Sequence, residues 1–207
     1  MTGHRRRPEP SPEQLLRLRH EAKRQLRTRI GAVRGALPAE ARERRSLAIA
    51  DHVINHEAYG RAEVLTAYIA MRGEVNPRRI LDAARAAGKV IALPRIDWST
   101  ETMLFYRWDD GDELEESGMG FLQPLTTAPS IADEIIDLVL TPALAIDLRG
   151  HRIGFGKGFY DRFLERLPDA TSVALIFDFQ RLAEVPDTPG DVPVQFWATS
   201  KGIESPD

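Results

Sequence analysis

The spacing of apolar and polar residues changes repeatedly along the chain between a helical and a strand-like period. Apolar residues three or four positions apart predict a long helix from Glu13, carried by Leu15, Leu18, Ala22, Leu26, Ile30 and Val33. Further helices are predicted at 38–55, at 76–88 and from Phe159, and a helical turn at 180–184. Short apolar runs predict strands at 64–70, 89–93, 102–108, 136–145, 172–177 and 194–199.

Strands that alternate with helices are typical of an α/β fold with a mostly parallel sheet. We therefore predict a three-layer α/β/α architecture, Rossmann-like, with the N-terminal helices packed on the central sheet. No linker interrupts the middle of the 207 residues, which indicates one domain over 13–201. Residues 1–12 are predicted to be a disordered basic arm, and 202–207 a tail.

Composition excludes several classes of protein. The absence of cysteine rules out disulfides, thiolate nucleophiles and cysteine metal sites. No apolar run is long enough for a membrane span, and no signal-peptide pattern opens the chain, so we expect a cytoplasmic protein without membrane partners. We expect a monomer or a weak homodimer.

Charge is distributed unevenly. Residues 1–45 carry a net charge of +8 and the remainder −11, within an overall charge of −3. A basic segment of this kind could bind nucleic acid, or it could be a solvated helical face or a clamp for a small anion. No aromatic platform or reader motif accompanies the charge, so no nucleic-acid partner is expected.

A glycine-rich stretch lies between the predicted strand at 136–145 and the predicted helix from Phe159. It contains Gly154, Gly156 and Gly158, whose missing Cβ atoms let backbone amides approach a ligand closely. Arg152 and Lys157 add positive charge, and phosphate is the anion that such loops most often bind. A plain tight turn is the alternative.

Two common nucleotide-binding loops do not fit this stretch. The phosphate-binding loop of nucleotide hydrolases requires Ser or Thr directly after the lysine, and Gly158 stands there instead. The dinucleotide fingerprint G-x-G-x-x-G fails because the spacing here is G-x-G-x-G. The loop therefore belongs to a different class of phosphate site.

The run from Arg152 through Gly154, Gly156-Lys157-Gly158-Phe159-Tyr160 to Asp161 resembles the signature of the 5-formyltetrahydrofolate cyclo-ligase (5,10-methenyltetrahydrofolate synthetase) family. The preceding strand, 137–142, matches the family as well, and the similarity extends thinly from about Lys23 to Asp191. The resemblance implies an ATP-dependent carbon–nitrogen ligase that converts 5-formyltetrahydrofolate, a reduced folate, to 5,10-methenyltetrahydrofolate through a phosphorylated formyl group, with ATP and Mg²⁺ required.

The resemblance also implies roles for individual residues. The catalytic residues would be Lys157, Arg152 and Tyr160, and the metal ligands Asp161 and Asp191. Nucleotide binding would fall to Lys23, Arg24, Gln25, Leu26, Arg27, Arg152, Ile153, Gly154, Phe155, Gly156, Lys157, Gly158, Phe159 and Tyr160. Substrate binding would fall to Ile69, Glu74, Phe155, Gly156, Lys157, Gly158 and Phe159, with apolar cover from Met119 or Phe121 and, as a weaker candidate, Trp108.

Two departures from the family pattern leave an alternative open. Gly190 and Gln195 stand where the family commonly has polar and acidic residues, which puts metal and nucleotide contacts there in doubt. The chain could therefore be a catalytically impaired regulatory homologue that binds nucleotide and folate. A third possibility, an enzyme on the same fold that acts on a sugar phosphate or acyl-CoA, has no specific support.

Overall fold

The computed structural model describes residues 10–71 and 73–206. Its helices are α1 Pro12–Gly35, α2 Ala39–Ile54, α3 Glu57–Arg61, α4 Arg78–Ala86 and α5 Phe159–Glu165. Its strands are β1 Val64–Thr66, β2 Val90–Asp97, β3 Thr102–Arg107, β4 Leu114–Glu116, β5 Leu122–Pro124, β6 Ser130–Ile131, β7 Leu138–Pro142, β8 Ala145–Ile146, β9 Arg152–Ile153, β10 Thr171–Leu175, β11 Phe196–Thr199 and β12 Gly202–Glu204.

Eight strands form one sheet in the order β12-β11-β10-β7-β1-β2-β3-β6. The five central strands, from β11 to β2, are mutually parallel, and β12, β3 and β6 add antiparallel edges. The predicted α/β fold with a mostly parallel sheet is therefore confirmed. Parallel central strands place all their carboxyl ends on one side, where open α/β sheets bind ligands.

The two faces of the sheet follow the alternation of side chains along each strand. In β7, Leu138 and Leu140 pack in the apolar cluster that contains residues of α2, α3 and α4. Val139, between them, packs in the opposite cluster with Phe163 of α5. Helices thus cover both faces, which is why the central strands are apolar at nearly every position.

Helix α1 is the exception to the predicted layering. Its buried Ile30 packs with Ala145 and Ile153 in a separate cluster, so the helix lies against the β8–β9 hairpin, whereas α2 packs on the sheet itself. Leu18 and Val33 are exposed, as is Leu15, and the predicted apolar stripe is wrong at these positions. The predicted helix itself is confirmed. Its outer apolar residues are exposed because a two-stranded hairpin offers a much narrower apolar surface than a sheet.

Several predicted boundaries also differ. Ser11 caps α1, which begins at Pro12; the rest of the predicted arm, residues 1–9, lies outside the described residues. The predicted tail contributes β12 to the sheet edge. The turn predicted at 180–184 is a 3₁₀ turn at Asp178–Gln180, because the Gln180 side chain donates hydrogen bonds to the carbonyls of residues 143 and 144. No helix in the described ranges is long and apolar enough to cross a membrane.

The β8–β9 hairpin separates the main sheet from the glycine-rich loop, and its turn is tightly bonded. Asp147 is fully buried and accepts hydrogen bonds from the backbone amides of Arg149, His151 and Val185. Burial alone would raise the pKa of Asp147, but these amides and the Arg149 guanidinium lower it overall. In the same turn Gly150 has φ +80°, and a Cβ there would lie 2.4 Å from the carbonyl oxygen of Val194.

We expect Gly150→Ala to destabilise the protein by about 3 kcal/mol, because the methyl group meets a backbone oxygen and the residue must hold a left-handed conformation. Gly31→Ala is the matched control: Gly31 lies within α1 with open space around it, so alanine should stabilise by about 0.5–1 kcal/mol. Urea unfolding measures both variants. Equal stability of Gly150→Ala and the wild type would contradict the described turn.

Candidate active site

A cavity of about 360 Å³ opens beyond the carboxyl ends of β1 and β7. Ile69 and Glu74 enter it from the segment after β1, and Pro142 from the end of β7. The glycine-rich loop, residues 154–158, and the start of α5 form the opposite wall. The fold therefore brings two segments that are far apart in sequence to one ligand-sized space.

The backbone conformation of the glycine-rich loop requires glycine at two of its three glycine positions. Gly156 has φ +95° and Gly158 has φ +65°, a region that residues with a Cβ rarely adopt. Gly154 has no such requirement, and a Cβ there would meet nothing within 4 Å. Lys157 is exposed and lines the cavity, while its carbonyl accepts a hydrogen bond from Arg162. A fixed backbone thus carries a flexible ammonium group into the cavity.

Arg152 and Asp161 form an ion pair in the wall beneath this loop. The Nη2 atom of Arg152 lies 3.0 Å from Oδ1 of Asp161, and its Nη1 donates to the carbonyl of Val192. Burial lowers the pKa of Arg152, although Asp161 opposes that shift. The backbone amide of Val192 also donates to Asp161 Oδ1, so one carboxylate oxygen fixes both the cation and the 186–193 segment.

Helix α1 supplies two more cations. Lys23 is buried and contacts Asp191 Oδ2, with its Nζ also 2.9 Å from Thr188 Oγ1. One turn later, Arg27 Nε donates to the carbonyl of Gly154 at 2.9 Å. The predicted Lys23 and Arg27 therefore both line the cavity.

Other residues of the predicted nucleotide set do not line the cavity. Arg24 and Gln25 are exposed and both bond Glu21 on the same helix, whereas Leu26 and Ile153 pack in the apolar cluster between α1 and the hairpin. Helical geometry explains the difference within α1, because consecutive residues of the helix point in different directions, and the alternation of side chains along β9 places Ile153 opposite Arg152.

Glu74 is buried, and its two carboxylate oxygens differ. Oε2 accepts a hydrogen bond from the backbone amide of Met71 at 2.8 Å, while Oε1 has no hydrogen-bond partner in the described structure. Burial raises the pKa of Glu74, with the Met71 amide and the Arg34 guanidinium acting in the opposite direction. Glu74 lines the cavity, and a buried carboxylate oxygen without a donor is suited to a ligand N–H group.

The remaining wall is largely apolar. Met119 and Phe121, expected as cover, line the cavity with Ile69, whereas Trp108 is buried in the core beneath Arg85. Phe155, Phe159 and Tyr160 also line it. Sequence reasoning missed several lining residues, namely His20, Tyr68, Met71, Pro94, Ile96, Met103, Pro142 and Thr188. Most of them are apolar residues or residues common in loops. Such residue types do not indicate a binding site unless the fold that brings them together is known.

Both predicted metal ligands, Asp161 and Asp191, line the cavity, and each is paired with a cation. In the described ranges, no group of three or more His, Asp or Glu side chains could hold a metal ion by itself. Each aspartate nevertheless retains a second oxygen: Asp161 uses only Oδ1 for its bonds, and Asp191 Oδ1 has only a 3.2 Å contact with Thr188. This donor set suits a hard cation that brings its other oxygen ligands with it.

Residues 19–199 match the family model described as the 5-formyltetrahydrofolate cyclo-ligase family. The chain belongs to this family. A 5-formyltetrahydrofolate cyclo-ligase of Mycolicibacterium smegmatis is 31% identical over 188 residues, which cover 87% of this chain and 94% of the relative. The enzyme of the same name from Mus musculus is 29% identical over 186 residues, covering 84% and 92%.

Solved structures agree with this membership. The 5,10-methenyltetrahydrofolate synthetase of Aquifex aeolicus superimposes with a TM-score of 0.77 at 26% identity, over 88% of this chain and 92% of that one.

Of the two departures from the pattern of the cyclo-ligase family, Gly190 has φ +90°, which suits glycine. Gln195 bonds the backbone of Ser172 and does not line the cavity.

We expect Glu74→Gln to weaken ligand binding and to be more stable, relative to the wild type, at pH 7 than at pH 4. Because the pKa of Glu74 is raised on folding, the wild type loses stability as pH rises through that pKa, and glutamine removes this loss. The variant leaves buried Arg34 without its carboxylate at both pH values, so the difference between the two, on the order of 1 kcal/mol, is the quantity that reports on Glu74. Thermal unfolding at the two pH values measures it; a relative stability that is higher at pH 4 would contradict the described burial.

Proposed function

We propose that this chain catalyses the ATP-dependent cyclisation of 5-formyltetrahydrofolate to 5,10-methenyltetrahydrofolate, with release of ADP and phosphate. The observation that carries the proposal is the shared cavity, in which the glycine-rich loop and the buried carboxylate of Glu74 face the same space. Membership of the cyclo-ligase family supports the same reaction. The regulatory alternative has no such support.

The nucleotide end of the cavity is the loop and the cations around it. Backbone amides of residues 154–158 would surround the phosphate groups, and the Lys157 ammonium would meet the charge that develops during transfer. Arg152, held by Asp161, would contact other phosphate oxygens. Lys23 and Arg27 would close the nucleotide side from α1. Such a site accelerates phosphoryl transfer mainly through positioning and charge neutralisation.

The folate end is the segment after β1 and the apolar wall. The free oxygen of Glu74 would accept a hydrogen bond from an N–H group of the reduced pterin, whose ring would pack against Ile69 and Phe155. Tyr160 is close enough to both ends for the charges of Glu74 and Arg152 to act on its hydroxyl. Burial raises the pKa of Tyr160, Glu74 adds to this shift and Arg152 opposes it. Tyr160 therefore stays protonated and can donate to an oxygen of the substrate.

The reaction itself requires two bond exchanges. The formyl oxygen attacks the terminal phosphorus of ATP, and ADP leaves with the electrons of the broken bond. The neighbouring amine nitrogen of the folate then attacks the activated carbon, loses its proton, and phosphate leaves with the carbon–oxygen electrons. Exclusion of water by the apolar wall, including Met119 and Phe121, would protect the activated carbon from hydrolysis.

Magnesium fits this site as a companion of the nucleotide. Asp161 and Asp191 would hold it through the oxygens that are not committed to Arg152 and Lys23. When bound, the cation neutralises phosphate charge. Because both aspartates also pair with cations, metal affinity without nucleotide should be weak.

One assay tests the activity. The methenyl product absorbs in the near ultraviolet, so purified protein with ATP, magnesium and 5-formyltetrahydrofolate should develop that absorbance, and omission of ATP should abolish it. If the protein binds folate and nucleotide by calorimetry but never forms product, the proposed reaction is wrong and the regulatory reading replaces it.

We expect Lys157→Ala to reduce turnover at least a hundredfold, which corresponds to about 3 kcal/mol of lost transition-state stabilisation. The side chain is exposed, so stability should be unchanged. Lys201→Ala is the matched control, since Lys201 is an exposed lysine in the turn between β11 and β12. Near-normal turnover of Lys157→Ala would remove this lysine from the mechanism.

A further inference from the structure

Arg34, in the last turn of α1, is a buried cation that lies outside the cavity lining and has no role in the reaction described above. Its side chain is only 8% exposed. Burial lowers its pKa, and the coulombic influences that oppose the shift come from Glu74 and Tyr68. A charge held so far from water needs a compensating partner.

That partner is Glu74. Nη1 of Arg34 lies 3.8 Å from Oε1 of Glu74, the carboxylate oxygen that has no hydrogen-bond partner in the described structure. At this distance the two side chains form an ion pair without a direct hydrogen bond. Arg34 therefore supports the negative charge of the carboxylate and leaves its oxygen free for a ligand.

The same side chain also contacts both walls of the cavity. On the folate side, a Cβ on Gly73 would lie 3.6 Å from Nε of Arg34, so the turn that carries Glu74 runs along the arginine. On the nucleotide side, Cζ of Arg34 lies 5.7 Å from the centroid of the Phe155 ring, within cation–π range. Phe155 is 45% exposed and belongs to the glycine-rich loop.

We infer that Arg34 is a positioning residue that keeps Glu74 ionised and oriented for the reduced folate and, through Phe155, couples the folate turn to the nucleotide loop. This inference rests on the proposed function. Among the described residues, the groups that face Glu74 are Arg34 on α1, Tyr68 after β1 and Tyr160 on α5, while Arg42 and Glu43 on α2 line the recess on its other side. Of the three facing groups, only Arg34 carries a charge at neutral pH.

Replacement of Arg34 by an apolar side chain should therefore move the titration of Glu74 to higher pH. Arg34→Met should weaken 5-formyltetrahydrofolate binding roughly tenfold at pH 7, in line with loss of a charge-supported contact. The acid limb of the binding profile should begin at a higher pH than in the wild type. Arg34→Lys, which keeps the charge but loses the planar group over Phe155, should restore the acid limb and bind ATP more weakly than the wild type.

The experiment measures 5-formyltetrahydrofolate binding by calorimetry from pH 5 to 8 without ATP, and separately KM and kcat in the product assay. We expect Arg34→Met to change KM for folate more than kcat. Arg29→Met, an exposed arginine on the same helix, is the matched control and should behave as the wild type. An acid limb of Arg34→Met at the wild-type position would overturn the inference.

A double-mutant cycle separates positioning from a general structural effect. If Arg34 acts through Glu74, adding Arg34→Met to Glu74→Gln should change folate affinity by less than about twofold, because the carboxylate is already absent. Independent, additive losses would overturn the inference. If Arg34→Met does not fold, the same cycle with Arg34→Gln, which also removes the charge, decides. Absence of product with the wild type would instead contradict the proposed function, and the binding measurements would still report on Arg34.

Discussion

The structure of this site depends on pairing buried cations with carboxylates. Lys23, Arg34 and Arg152 are all buried, and each lies beside a carboxylate from a different part of the chain. Removing a charge from water is costly unless an opposite charge accompanies it, so these pairs restrict how the segments can assemble. Two of the three cations belong to α1, a helix that makes little contact with the main sheet. The position of α1 against the cavity is therefore specified by these ion pairs together with the apolar contacts of Ile30.

This arrangement has a consequence for ligand binding. The carboxylates Asp161 and Asp191 neutralise Arg152 and Lys23, which would otherwise repel one another across the proposed nucleotide end of the cavity. When an anionic ligand enters, its phosphates can take over part of that neutralising role, and the carboxylates become available to a divalent cation. Nucleotide and metal binding should therefore support each other, as expected for a site that lacks a group of three acidic or histidine ligands in the described ranges.

The parts of this fold that follow from local pattern could be predicted from sequence, and the parts that depend on tertiary packing could not. The α/β class follows from alternating strand and helix periods, whereas glycine permits but does not dictate the positive φ angles of Gly156 and Gly158, and Gly154 has none. The β8–β9 hairpin was missed because two-residue strands leave no periodic signal. Hydrophobic spacing assigns the buried face of a helix to apolar residues, so it predicts that Val33 is buried. In the structure Val33 is exposed and its neighbour Arg34 is buried instead. An arginine that is buried against a distant glutamate has no local signature.

If the proposed function is correct, the position of Arg34 explains how the turn that carries Glu74 and the glycine-rich loop can act together without touching. Glu74 and Phe155 are separated by 81 residues in sequence, yet one guanidinium lies beside both. A ligand that binds Glu74 would change the electrostatic environment of Arg34. A nucleotide that reorders the glycine-rich loop would move the Phe155 ring, which packs against the same guanidinium. Coupling between two sites requires an element whose energy both ligands alter. Under the inference above, this element is one side chain at the end of α1, so its replacement by an apolar side chain should weaken the affinity for folate and the affinity for ATP together.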